Sequence, residues 1–140
     1  MCIRARLLGD EGYRLVETSD HDGTAPSKTV LAELLTKAAP CVILIDELQK
    51  FFSDLTPGKQ LNAGTYEANL KFVQALTEAL KTVPTAILLA SLPESEAEVG
   101  DTFGAKTLVA LEKHFGRVES VWKPVAAEEA FEIVRRRLVE

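Results

Sequence analysis

Two uninterrupted apolar runs, Val42-Ile43-Leu44-Ile45 and Ala86-Ile87-Leu88-Leu89-Ala90, interrupt stretches where apolar residues recur every three or four positions. Runs without alternation predict strands buried on both faces, the habit of parallel sheets covered by helices. The first run ends in two adjacent carboxylates, Asp46 and Glu47. Ligands of such sheets sit at the carboxyl ends of the strands, where this pair lies.

The periodic stretches predict the helices. Pro26-Ser27 marks a start with Ser27 as N-cap, and Leu31, Leu34, Leu35 and Ala38 form an apolar face that ends at Pro40. Leu48 to Leu55 predicts a helical turn, broken at Thr56-Pro57-Gly58. Tyr66, Leu70, Val73, Leu76 and Leu80 then fall on one continuous helical face, with Thr65 as cap and Glu67 in the first turn. Ser91 to Ser95 leaves the second strand as a loop, and the acidic stretch to Asp101 is expected to be exposed.

A third helix is expected from about Ala105 to His114, with Leu108, Leu111 and Phe115 on one side and Gly116 as its stop. Val118 to Trp122 predicts a third strand closed by Pro124. A last helix runs from Ala127 towards Val139, with Glu128 and Glu129 in its first turn and Arg135, Arg136 and Arg137 in its last. The first 25 residues are the least regular: Tyr13 to Glu17 reads as a short strand and Asp20 to Gly23 as a loop. The alternation of elements predicts a layered parallel α/β sheet with flanking helices.

Composition narrows the function classes modestly. A chain of 140 residues makes one domain, and 46% hydrophobic with 26% charged residues is an ordinary soluble balance. A net charge of -5 offers no global attraction to nucleic acid or anionic lipid. Two cysteines, Cys2 and Cys41, make no disulfide framework, so a cytoplasmic, reducing location is expected. No segment has the length of a transmembrane helix or the apolar core of a signal peptide, so no membrane partner is expected.

Phosphoryl transfer needs a metal on the phosphate oxygens and a group that orients the attacking water. An Asp at the tip of a buried strand suits the magnesium role, and the next residue can polarise water. Asp46 and Glu47 fit this Walker B pattern of P-loop nucleoside triphosphatases, although a strand reaching solvent also ends in polar residues. Ser91 ends the second run, either as a sensor of the γ-phosphate or as the hydroxyl opening the Ser91-Leu92-Pro93 turn. Arg117 follows Gly116 between a helix and a strand. It is either an arginine finger reaching a neighbouring subunit's nucleotide or a solvated cation beside Glu119. His21 and His114 are the only histidines, and their spacing suggests no zinc site. Ser91 has no base partner and no Gly-x-Ser-x-Gly elbow, which leaves serine hydrolysis unsupported.

Taken together, residues Ala39 to Leu138 resemble the ATPase core of a family of large prokaryotic AAA+-type proteins, known by a domain of unknown function and often encoded beside DNA-modification and phage-defence genes. The carrying stretches are Pro40 to Glu47, Ala63 to Asn69, Phe72 to Glu78, Val83-Pro84, Ala90 to Ser95, His114 to Pro124 and Glu129 to Arg137. The resemblance implies ATP and Mg2+ as cofactors, with Asp46 on the metal, Glu47 on the water, Ser91 as sensor and Arg117 as finger. It implies a homo-oligomer that remodels a partner, with nucleic acid or DNA-modification and defence proteins as possible partners. It divides the chain into a partial ATPase core over 1–125 and the start of a lid helix region over 126–140. No Gly-x-x-x-x-Gly-Lys-[Ser/Thr] occurs in the chain, so the phosphate cradle is missing. A partial P-loop core, lacking the P-loop strand that the family places upstream, is therefore expected to bind ATP weakly when alone. The alternative is a non-catalytic α/β interaction domain that has lost nucleotide binding.

Overall fold

The computed structural model describes residues 3–55, 58–59, 64–93, 102–115 and 135–136, with residues 3–6 described as backbone alone. Its elements are α1 (Ile3–His21), α2 (Lys28–Ala38), β1 (Cys41–Ile45), α3 (Leu48–Ser53), α4 (Tyr66–Leu80), β2 (Ala86–Ala90) and α5 (Thr102–Phe115). The described fold is mixed α/β, mostly helical, around a two-stranded parallel sheet.

Local chemistry accounts for most of these boundaries. Ser27 caps α2 by accepting from the Val30 N–H at 3.3 Å, and Thr65 caps α4 by accepting from Ala68 N–H at 3.1 Å. The apolar face of α2 buries Leu31, Leu34 and Leu35, and α4 buries Val73, Leu76 and Ala79. These helices pack on one another and on Ile43, Ile45 and Ala86 of the sheet. Each fully buried Leu or Val contributes about 1.5–3 kcal/mol, so this one cluster supplies the main driving force. Helix α5 is seated on it through Leu111 and through a ring contact of Phe103 with Tyr66 at 5.3 Å. There the Tyr66 hydroxyl pairs with the buried Thr107 hydroxyl at 3.3 Å.

Two expectations change. Tyr13 to Glu17 is not a strand, and Asp20 and His21 of the expected loop are helical: both lie within α1, and only Asp22 and Gly23 form the turn after it. Leu15 packs on the core and Val16 is buried in the part of the helix after Gly9, and Leu8 packs on the core in the part before it. A glycine breaks the run in its first part. Gly9 holds φ 56 and ψ -136, a conformation glycine tolerates, and kinks the helix there.

The second change concerns the sheet. Among the described residues only one face is covered. Val42 and Leu44 of β1 are 59% and 73% exposed, and Ile87 and Leu89 of β2 are 54% and 56% exposed. The described helices all pack on the Ile43–Ile45 side. The unalternated runs therefore signal two apolar faces, of which this part of the chain covers one. The strand expected at 118–122, the acidic loop to Asp101 and the 125/126 boundary lie outside the described residues. So does the helix expected over 127–139, apart from 135–136, which is helical. No helix of the described residues is long and apolar enough to cross a membrane.

Candidate functional site

The parallel register pairs Ile45 with Ala90, the last residues of β1 and β2. The next residue on each strand, Asp46 and Ser91, therefore leaves the sheet side by side. The Ser91 N–H continues the ladder by donating to the Ile45 carbonyl at 3.0 Å. The Ser91 hydroxyl then donates to Asp46 Oδ1 at 2.5 Å and accepts from the Glu47 N–H at 2.9 Å. Asp46 Oδ1 also accepts from the Glu47 N–H, at 3.0 Å.

The chain turns sharply at this knot. Glu47 has φ 52 and ψ 39, and it is the one non-glycine with positive φ among the described residues. A left-handed residue with a Cβ costs about 1–2 kcal/mol, and such strain persists where surrounding bonds over-determine it. Here the Asp46 carboxylate and the Ser91 hydroxyl hold the Glu47 N–H, while the Glu47 carbonyl accepts from the Phe51 N–H at 3.3 Å to open α3. The turn separates the two acids by role: Asp46 faces Ser91, and Glu47 projects its carboxylate into solvent beside α3.

Two residues at this rim were not singled out from the sequence. Lys50 Nζ lies 3.3 Å from Glu47 Oε2, an exposed pair one helical turn apart. The i, i+3 spacing after a helix start was the available signal. Gln49 is 7% exposed and donates to Ser53 Oγ at 2.8 Å, which closes the floor of the shallow cleft beside Glu47 and Ser91.

The donor set bears on a metal. Mg2+ prefers one or two carboxylates, several waters and substrate phosphates over an all-protein cage. Asp46 supplies one exposed carboxylate whose Oδ2 carries no hydrogen bond among the described residues. Among those residues no group of three His, Cys, Asp or Glu side chains is placed to hold a metal. Asp46, with Glu47 and Ser91 beside it, is the kind of donor set that a hydrated magnesium would use. The structure brings Asp46, Glu47 and Ser91 together, while Arg117 lies outside the described residues. Arg135 and Arg136 are exposed.

A helix-rich α/β domain on a two-stranded parallel sheet, with a carboxylate–hydroxyl cluster at its carboxyl edge, is the class these features define. Residues 5–123 match a family model described as the DUF499 N-terminal domain, and the chain belongs to that family. The match takes in α1 and α2, upstream of the stretches that carried the resemblance, and ends at residue 123, just before Pro124. No curated protein and no solved structure matches the chain.

Proposed function

We propose that this chain is the Walker B and sensor half of an AAA+-type ATPase module. The reading rests on one observation: Asp46 and Ser91 end adjacent parallel strands and share a hydrogen bond, with Glu47 next in the chain. In this reading Asp46 anchors the hydrated Mg2+ of bound Mg–ATP, and Glu47 orients the attacking water. Ser91 senses the γ-phosphate. Arg117 would serve the site of a neighbouring subunit, which makes the working form a homo-oligomer in the cytoplasm. Hydrolysis would be coupled to remodelling of a partner, with nucleic acid or DNA-modification and defence proteins as the class to examine.

What the chain's own residues do is limited and specific. The Ser91 hydroxyl keeps one carboxylate oxygen of Asp46 turned inward and leaves the other for the metal's water shell. The left-handed turn aims Glu47 away from Asp46, so two anions need not share one position. Lys50 offsets part of the Glu47 charge when no substrate is present. Bound magnesium would supply charge neutralisation on the phosphate oxygens. The phosphate-cradling loop must come from other polypeptide.

The test has two stages. Magnesium with a labelled ATP analogue is titrated against the chain and against the same chain joined to its genomic upstream sequence, if that encodes a P-loop in frame. Tight, saturable binding in the longer protein, lost in Asp46→Ala, supports the reading. Glu47→Gln in that protein should bind ATP and hydrolyse it poorly, and normal turnover would sink the role given to Glu47.

A second reading draws on the bare sheet face. Val42, Leu44, Ile87 and Leu89 form a contiguous apolar surface of the kind that marks an interaction site. A non-catalytic interaction domain would use that face and need no nucleotide. Absence of ATP binding at millimolar nucleotide in the longer protein favours it.

A further inference from the structure

Glu47 enters the rim of the sheet with a fixed backbone and a loose side chain. The Asp46 carboxylate and the Ser91 hydroxyl hold its N–H, and its left-handed φ of 52 sets the direction of its Cα–Cβ bond. Beyond Cβ the side chain is 67% exposed, so packing does not choose among its rotamers. A flexible acid of this kind loses entropy when it is held at one position, and something must offset that loss if it is to orient a water.

Lys50 supplies the constraint. It stands one helical turn further along α3, and its Nζ donates to Glu47 Oε2 at 3.3 Å. Asp54 stands one turn away on the other side, yet among the described residues the ammonium group pairs with Glu47. Gln49 donates to Ser53 Oγ at 2.8 Å and Ser53 Oγ donates back to the Gln49 carbonyl at 3.3 Å, which braces the turn that carries Lys50. Lys50, Glu47 and Ser91 line one shallow cleft. Glu47 Oε1 carries no hydrogen bond among the described residues. The arrangement repeats the one at Asp46, where Ser91 takes Oδ1 and leaves Oδ2.

We propose that Lys50 is a positioning residue for Glu47: its ammonium group keeps Oε2 and presents Oε1 to the water that attacks bound Mg–ATP. The inference rests on the ATPase reading and adds to it a residue that acts through Glu47 alone. A cation bound to the phosphates would act on substrate affinity. One that orients the acid acts on turnover, because the water is engaged only after the nucleotide is bound. An exposed pair one helical turn apart biases its rotamers about twofold, and the bias grows when bound nucleotide excludes water from the cleft.

The experiment is steady-state ATP hydrolysis by the protein at its full genomic length, with Lys50→Met and Lys50→Arg, each alone and combined with Glu47→Gln. Lys50 is 71% exposed, so its replacement leaves the core intact. Lys50→Met is expected to lower kcat about two- to tenfold at unchanged KM, and Lys50→Arg to restore most of it. In the Glu47→Gln background Lys50→Met should change the residual turnover no further, since the group it orients is gone. An unaltered or raised kcat in Lys50→Met, a raised KM, or a further fall in the Glu47→Gln background each overturns the proposal and leaves the ATPase reading standing. Full turnover by Glu47→Gln, or no hydrolysis by the unaltered protein, removes the ATPase reading and this inference with it.

Discussion

The Ser91 hydroxyl donates to the Asp46 carboxylate across the carboxyl ends of two parallel strands, 45 residues apart in sequence. The same oxygen accepts the Glu47 N–H, so one side chain joins both strands and the turn between β1 and α3.

Ser91→Ala removes both bonds at once. The site is exposed, so water replaces part of what is lost, and the expected cost is about 1 kcal/mol of stability by urea denaturation. In a form of the protein that hydrolyses ATP, turnover should fall by more than that energy explains. Equal turnover in Ser91→Ala and the unaltered protein would remove Ser91 from the site.

Glu47 offers a sharper comparison, because its backbone is strained. Glu47→Gly and Glu47→Ala both lose the carboxylate and its exposed contact with Lys50. Only glycine relieves the left-handed conformation, so the Gly variant should be the more stable of the two by about 1 kcal/mol. Paired thermal melts check the order, and the reverse ranking would mean the turn is not left-handed in solution.

Phe52 is the centre of the aromatic cluster, with 0% exposure and edge-on contacts to Phe51 and Tyr66 at 5.6 Å. Phe52→Ala should cost about 3–5 kcal/mol. Its position within the six-residue helix α3, which the Glu47 turn opens, also means the loss should loosen α3. Hydrogen exchange of the α3 amides should then rise more than that of α2.

His114 gives a pH dependence of known sign. Burial lowers its imidazole pKa below the ordinary value, Lys113 adds to the shift and Glu78 opposes it. The unfolded chain then binds its proton more readily than the folded one. Stability is full above about pH 6.5 and declines as the pH falls from there to the lower folded value. His114→Gln should flatten that part of the urea-midpoint profile, and an unchanged slope would assign it to other groups.

Much of this was legible locally. Ser27 and Thr65 announced their helices because a cap needs only its own hydroxyl and an N–H three residues on. Leu31, Leu34 and Leu35, or Val73 and Leu76, announced a buried face through their spacing alone. Tyr13 to Glu17 misled because Tyr and Val carry strand propensity, and packing of Leu15 and Val16 against the core overrode it. Helix α5 begins at Thr102, three residues before the expected Ala105.

By itself the sequence determined the strands and helices from Ser27 onward among the described residues, though not α1, and that a carboxylate pair stands at a strand's end. These follow from periodicity, capping and apolar runs, all interactions within a few residues. Only the tertiary structure decided that Ala90 stands opposite Ile45, and hence that Ser91 meets Asp46. It alone placed Glu47 in a left-handed turn and showed that the described helices cover one face of the sheet. Those outcomes depend on strand register and on which helices reach which face, and both are set by contacts between residues far apart in the chain.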